Sequence, residues 1–295
     1  MHKSGFVNII GNPNVGKSTL MNALVGEKLS IITSKAQTTR HRIMGIVSGE
    51  DFQIVYSDTP GILKPSYKLQ ESMMKFVTGA VTDADVILYV TDTVEQGDRS
   101  AEIIGRIRES GIPTVVVINK IDLSTPEALD ALVDKWRQEL PEAQIVPASA
   151  KENFNIEGLF KTILALLPEG PAFYPKETLT DKTLRFFASE IIREKILKFY
   201  DKEIPYCCEI EIDSYREEPT IDRIAATIYV ARDSQKGILI GHKGEKLKRV
   251  GQTAREDMEQ FLGKKVFLQL FVKVSDDWRN NERQLRRFGY WNKPE

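Results

Sequence analysis

Short apolar runs that stop at glycine alternate with longer amphipathic stretches through the first 168 residues. Phe6-Val7-Asn8-Ile9-Ile10 ends at Gly11 and predicts a buried strand, with a helix over about 17–25. Strand-like runs at 43–49 and 52–57 meet at Glu50-Asp51 and predict a hairpin. Residues 86–91 and 114–118 are apolar and β-branched, with helical spacing over 100–109 between them. Amphipathic helices are expected at 128–139 and 156–167, around a short strand at 144–147. Strands alternating with helices imply a mostly parallel sheet flanked by helices, with ligands bound at the carboxyl ends of the strands.

Pro168-Glu169-Gly170-Pro171, followed by Pro175, interrupts that rhythm and predicts a linker over 169–180. Beyond it lie helical spacing near 182–200, strand patterns near 206–214 and 223–232, a helix over about 244–262 and a strand over 265–274. The chain therefore reads as a first domain over 1–168 and a small α+β domain over 181–295. From Asp276 onward the sequence is polar and basic, with Trp278, Phe288, Tyr290 and Trp291 interspersed. Such a tail suits base stacking and phosphate contact. It suits equally an amphipathic terminal helix that docks Trp278, Leu285 and Phe288 on the domain, and the two roles are compatible.

Composition changes the picture little. The chain has 295 residues, 41% hydrophobic and 28% charged, with a net charge of −1, an ordinary globular mix. Basic residues number 17 against 21 acidic in 1–170 and 24 against 21 thereafter, with the excess in the last 60; a near-neutral chain can still hold a basic face, so the balance excludes little. The only cysteines, Cys207 and Cys208, are adjacent. Adjacent cysteines close no useful loop, and reduced thiols in or beside a strand are expected. No leader pattern precedes the first strand, and no apolar run approaches the length of a membrane span. A soluble cytoplasmic protein is the expectation.

Specific chemistry enters with Gly11-Asn12-Pro13-Asn14-Val15-Gly16-Lys17-Ser18, a G-x-x-x-x-G-K-S loop between a strand and a helix. Its backbone N–H groups, extending to Thr19, can curl around phosphate; Lys17 would reach the β- and γ-phosphates, and Ser18 would bind Mg²⁺. Asp58-Thr59-Pro60-Gly61 closes the third strand: Asp58 would hold Mg²⁺ through water, and the Gly61 N–H would meet the γ-phosphate. Within Gln37-Thr38-Thr39-Arg40-His41, a threonine can complete the metal shell, with Thr39 favoured over Thr38. The polar stretch 28–42 suits a loop that orders with nucleotide, and 58–75 is expected to order with it. Asn119-Lys120-Ile121-Asp122 selects the base, because Asp122 can accept from guanine N1–H and the 2-amino group. Ser149-Ala150-Lys151 sits where N–H groups could meet guanine O6. Ile62, directly after the D-x-x-G motif, cannot orient a water, so hydrolysis is expected to be slow or to use a water held by backbone, another residue or a monovalent cation. Asn14 fits either a ligand for a monovalent cation or a residue that only shapes the loop.

In the second domain Gly241-His242-Lys243-Gly244 lies between two helical segments, with Lys246, Lys248 and Arg249 after it. A G-x-x-G loop of this kind clamps a single-stranded backbone in KH domains. A helix corner on a protein-binding module is the competing reading.

Taken together, GNPNVGKS, QTTRH, DTPG, NKID, the run from Tyr174-Pro175 to Arg185-Phe186, GHKG and the C-terminal WR…L…FGY resemble the Era family of bacterial ribosome-assembly GTPases along essentially the whole chain. The resemblance implies an α/β P-loop GTPase domain followed by an α+β type-II KH domain. It implies GTP and GDP as ligands, hydrolysis with Mg²⁺, and K⁺ stimulation through Asn14. It also implies KH binding near the 3′ end of small-subunit ribosomal RNA, action on the 30S particle, and peripheral contact with the inner membrane. A monomer with no DNA partner is expected.

Overall fold

The computed structural model describes residues 1–94 and 100–290. Those residues form two compact units, the first of residues 1–66 and 70–181, the second of residues 67–69 and those after Asp181. In the first, β1 (Lys3–Gly11), α1 (Lys17–Val25), β2 (Ile43–Ser48), β3 (Phe52–Asp58), α2 (Lys68–Thr82), β4 (Val86–Asp92), α3 (Ala101–Ser110), β5 (Thr114–Asn119), α4 (Pro126–Glu139), β6 (Gln144–Pro147) and α5 (Ile156–Leu166) follow in order. The sheet order is β2-β3-β1-β4-β5-β6, parallel except for the β2–β3 hairpin. β4 and β5 are buried along their whole length, which explains their unbroken apolar runs. Connections leave β1 toward β3 on one side and return to β4 on the other. The end of β1 is therefore the switch point where ligands bind in open α/β sheets.

Residues 68–75, within the segment expected to order with nucleotide, form the start of α2, a helix the sequence reading did not place. Met73, Val77, Ala80 and Val81 are buried at helical spacing, a signal present in the sequence but hidden in a stretch dominated by the preceding motif.

The predicted linker lies along the first unit. Gln53 Oε1 accepts from the N–H groups of Phe173 (2.7 Å) and Tyr174 (2.9 Å). Phe173 packs on Phe6 with ring centroids 4.8 Å apart. Ile46 N–H donates to Leu179 O at 2.8 Å, Thr180 Oγ1 to Met44 O at 2.6 Å, and Met44 N–H to Asp181 Oδ1 at 3.0 Å. Residues 179–181 thus occupy part of the open edge of β2.

The second unit contains α6 (Leu184–Phe199), α7 (Ile204–Cys207), β7 (Glu209–Glu217), β8 (Ile221–Val230), α8 (Asp233–Ile240), α9 (Glu245–Leu262), β9 (Lys265–Val274) and α10 (Glu282–Arg287). Its sheet runs β7-β8-β9, with β7 antiparallel and β9 parallel to β8. The strand expected from residue 206 begins only at Glu209, because Ile204–Cys207 make a helical turn opened by Pro205. Cys207 and Cys208 are free, buried thiols. The tail docks on the unit: Trp278 is fully buried and donates from Nε1 to Cys207 O at 2.9 Å, and Tyr290 Oη donates to Glu209 Oε2 at 2.6 Å. Trp291 lies outside the described residues. Among the described residues no helix is long and apolar enough to cross a membrane.

Candidate functional site

The G-x-x-x-x-G-K-S loop leaves β1 at Gly11, where a Cβ would collide with the Val90 carbonyl on β4. Gly16 (φ 94°) precedes α1, and a Cβ there would strike the Asn119 amide. No side chain caps α1, so the first N–H groups of the helix are left to serve an anion. The Lys17 ammonium donates to Gly11 O (3.0 Å) and Asn12 O (2.8 Å), which holds it at the floor of the loop. A cleft of about 340 Å³ lies over this floor, lined by Pro13, Asn14, Gly16, Lys17, Ser18, Thr19, Thr39, Gly61 and Lys120, with residues 31–35 as its far wall.

Three oxygen-bearing side chains from separate elements converge beside Lys17. Ser18 Oγ donates to Asp58 Oδ2 at 2.7 Å and lies 2.9 Å from Thr39 Oγ1, which itself reaches Asp58 Oδ2 at 3.3 Å. Asp58 is fully buried. Burial pushes its carboxyl up, against the Ser18, Ser30 and Thr39 hydroxyls and the Lys17 charge. Oδ1 has no hydrogen bond of ordinary geometry. A buried carboxylate oxygen left over beside two hydroxyls is a donor set of the hard-oxygen kind that Mg²⁺ takes. Among the described residues no cluster of three His, Cys, Asp or Glu side chains forms a metal cage; a Mg²⁺ sharing phosphate and hydroxyl ligands needs none. Thr38 is engaged elsewhere, with Thr33 Oγ1 (2.6 Å) and Lys35 O (2.5 Å).

Gly61 approaches so closely that a Cβ would lie 2.8 Å from the Pro13 backbone. Thr59 Oγ1 donates to Ile9 O at 2.7 Å, and Ile62 is buried with its N–H on Gly11 O at 3.1 Å. Neither the Thr59 nor the Ile62 side chain reaches into the cleft.

The N-K-x-D segment is braced to the loop. Asn119 Nδ2 donates to Val15 O (2.8 Å), and its Oδ1 accepts from Ala150 N–H (3.0 Å), so one side chain ties three motifs. Lys120 (φ 60°) donates to Asn14 O (2.6 Å) and Asp92 Oδ2 (2.5 Å). Ser149 Oγ donates to Asp122 Oδ1 at 2.6 Å and aims that carboxylate. Lys151 is exposed and paired with Glu152 at 2.9 Å. Sequence reading missed Asp92, whose position at the end of β4 carries no motif. It also missed Asn22 on α1, which accepts from the N–H groups of Leu29 and Ser30, both at 3.0 Å, and so anchors the start of the 28–42 loop.

In the second unit Gly241 and Gly244 both take positive φ (74° and 80°), as does Lys243 between them (48°). A Cβ on Gly241 would lie 2.7 Å from the Lys246 side chain. His242, Lys243, Lys246, Lys248 and Arg249 are all exposed. Arg249 lies 4.3 Å from the Phe199 ring centroid and Lys246 5.9 Å from that of Tyr200. α9 starts behind Gly244 without a side-chain cap.

Comparison with known proteins agrees in both units. The family model described as 50S ribosome-binding GTPase matches residues 6–120, and the KH domain model matches 203–279. The chain is 46% identical over 294 residues to the GTPase Era of Alkaliphilus metalliredigens (strain QYMF), covering 98% of this chain and 99% of that protein. It is 45% identical over 291 residues to the GTPase Era of Staphylococcus haemolyticus (strain JCSC1435), covering 98% and 97%. The crystal structure of Era in complex with MgGDPNP and nucleotides 1506–1542 of 16S ribosomal RNA superposes with a TM-score of 0.94 at 41% identity, covering 98% of this chain and 99% of that one. A point variant of Aquifex aeolicus Era bound to GDP·AlF4⁻ matches equally, with a TM-score of 0.94 at 41% identity over 98% and 99% of the two chains.

Proposed function

Because the chain belongs to the Era family of GTPases, we propose that it is a nucleotide-driven switch that binds small-subunit ribosomal RNA near its 3′ end and couples GTP binding and hydrolysis to maturation and assembly of the small subunit. The carrying observation is the convergence of Ser18, Thr39 and Asp58 on one point beside Lys17. It joins the helix after the loop, the 28–42 segment and the end of β3. A ligand that binds there acts on both segments at once, and can shift the chain only by its differential affinity for the two arrangements.

In this reading backbone N–H groups of residues 13–19 and the Lys17 ammonium bind the phosphates, and the Gly61 N–H meets the γ-phosphate. Ser18, Thr39 and, through water, Asp58 hold Mg²⁺, which neutralises charge developing on the phosphate oxygens. Asp122, aimed by Ser149, accepts from guanine N1–H and the 2-amino group; Ser149–Lys151 offer N–H groups to O6. Asn119 and Lys120 keep the base end and the phosphate end in one geometry. The apolar Ile62 side chain leaves no polar group at the position after Gly61 to orient the attacking water, so basal hydrolysis is slow. Asn14, exposed at the cleft, supplies its amide oxygen to a monovalent cation, and faster hydrolysis in K⁺ than in Na⁺ that disappears in Asn14→Ala tests that role.

The GHKG loop with Lys243, Lys246, Lys248 and Arg249 is the RNA clamp. The support is twofold: two positive-φ glycines that admit a sugar–phosphate chain, and the 16S fragment bound by the Era of the superposed complex. The test is fluorescence anisotropy with a single-stranded RNA matching the 3′ end of small-subunit RNA. Binding should be tighter with a non-hydrolysable GTP analogue than with GDP or neither; equal affinity in all three states overturns the coupling.

A further inference from the structure

The 28–42 segment, which carries Thr39, is fastened at both ends. Asn22 holds its start at Leu29 and Ser30. Its last residue, Arg42, spreads a guanidinium over three partners on the α2 side of the sheet. Arg42 Nε donates to Ser57 Oγ at 2.5 Å and Nη2 to Asn8 Oδ1 at 3.0 Å, while Nη1 and Nη2 grip Asp83 Oδ2 and Oδ1 at 2.5 and 3.0 Å. Asn8 and Ser57 are register partners on β1 and β3, and both are fully buried. Ser57 precedes Asp58, so its side chain leaves β3 on the face opposite the Asp58 carboxylate. Asn8 Nδ2 completes the group, donating to Asp83 Oδ1 at 2.7 Å and to Ala80 O, in the last turn of α2, at 2.8 Å.

Asp83 directly follows α2, and its N–H closes on Gly79 O at 3.1 Å. A carboxylate at a helix C-terminus opposes the macrodipole, and the last turn of α2 has no basic residue to offset it. Arg42 supplies that cation from another element, in the bidentate form that fixes direction as well as charge. α2 is also tied to the segment after Gly61. Leu63 N–H donates to Met74 Sδ at 3.4 Å, and Ser66 N–H to Gln70 Oε1 at 2.8 Å. Gly61, α2, Asp83, Arg42 and Thr39 therefore lie on one continuous path, with a helix in its middle, the kind of rigid element that carries coupling between sites. Thr39 stands three residues before Arg42, about 11 Å of chain at full extension.

We propose that Arg42 is a positioning residue for GTP hydrolysis: its clamp on Asp83 couples the end of α2 to the 28–42 segment, so that Thr39 and Gly61 take their places at the γ-phosphate together. The inference rests on the role given above to Thr39. Contacts with the γ-phosphate and its Mg²⁺ are what order such segments. GDP lacks that phosphate, so the clamp matters to GTP and not to GDP.

The test uses the full chain, GDP and the β,γ-imido analogue of GTP, with affinities from calorimetry and kcat from phosphate release. Arg42→Lys keeps the charge and loses the fork. It should lower kcat about tenfold or more and cut the ratio of analogue to GDP affinity several-fold, with GDP affinity unchanged. Asp83→Asn, at a half-exposed side chain, should do the same without loss of folding, and Asp83→Glu should recover part of the loss. The double variant Arg42→Lys/Asp83→Asn should lose no more than the worse single one, because both cut one path. A lower melting temperature with kcat and the affinity ratio at their wild-type values makes the clamp merely structural and overturns the proposal. Losses that multiply in the double variant also overturn it. Thr39→Ala separates the two readings. If it keeps the wild-type ratio, the role of Thr39 fails and the inference with it; if it cuts the ratio while Arg42→Lys and Asp83→Asn do not, the inference alone fails.

Discussion

Both units use the same local device: a glycine in the left-handed region, followed at once by a helix whose first turn no side chain caps (Gly16 before α1, Gly244 before α9). What surrounds the device differs. Around Gly16, side chains from β3, β5, α1 and the 28–42 loop close in, and a carboxylate, two hydroxyls and an ammonium share a few ångströms. Around Gly244 the cations are exposed, and their recorded contacts are with rings. A small, densely charged ligand is held by convergence, which fixes identity. A long, repeating polyanion is held by an open clamp, which fixes register and leaves identity to the bases.

The comparison breaks most readily at Asp122. Asp122→Asn should lower GTP affinity by about 10³-fold or more and gain xanthine nucleotide, measured by calorimetry, because an amide donates where the carboxylate accepted. Next is Asn119→Ala, which removes a brace tying three motifs. About 1–3 kcal/mol of stability should disappear in denaturant melts, from unpairing the buried Val15 O and Ala150 N–H. A smaller effect is expected at the open clamp: Lys243→Ala should weaken RNA binding only several-fold and reduce the salt slope by about one unit. The smallest is a pH effect. Burial alone would raise the Asp222 carboxyl, but hydrogen bonds from Lys264 and Tyr215 outweigh it and hold it below the usual range. A lowered carboxyl stabilises above its unfolded value and loses that contribution as pH falls through the folded one. The second unit should therefore soften as pH drops below about 4, and Lys264→Ala should flatten that slope in thermal melts.

Much of this was legible in the residues. The buried parallel strands announce themselves as short β-branched runs. Gly11, Gly16, Lys17 and Ser18 carry their chemistry in fixed spacing. The sequence favours Thr39 over Thr38, and the structure adds that Thr39 Oγ1 lies beside Ser18 and Asp58 while Thr38 turns to Thr33 and Lys35. Asp92 and Asn22 were invisible because each acts through a group no motif marks, the Lys120 ammonium for one and the Leu29 and Ser30 N–H groups for the other. α2 was overlooked although its spacing was readable. The docking of Trp278, Leu285 and Phe288 was one of two open readings of an aromatic, basic tail; Trp278 and Leu285 are buried and Phe288 packs on Trp278, with Tyr290 buried beside them although that reading did not include it.

The segment that joins the units has a consequence for anyone handling the first one alone. β2 is an edge strand, and an open edge is a template on which another chain can add a strand. Residues 179–181 sit on part of that edge through Met44 and Ile46. Cutting after Leu167, where the last helix of the unit ends, would strip that cover and leave those backbone groups free to recruit a neighbour. The tether is thus also a guard against aggregation, and the first unit ends, for solubility as for structure, at Asp181.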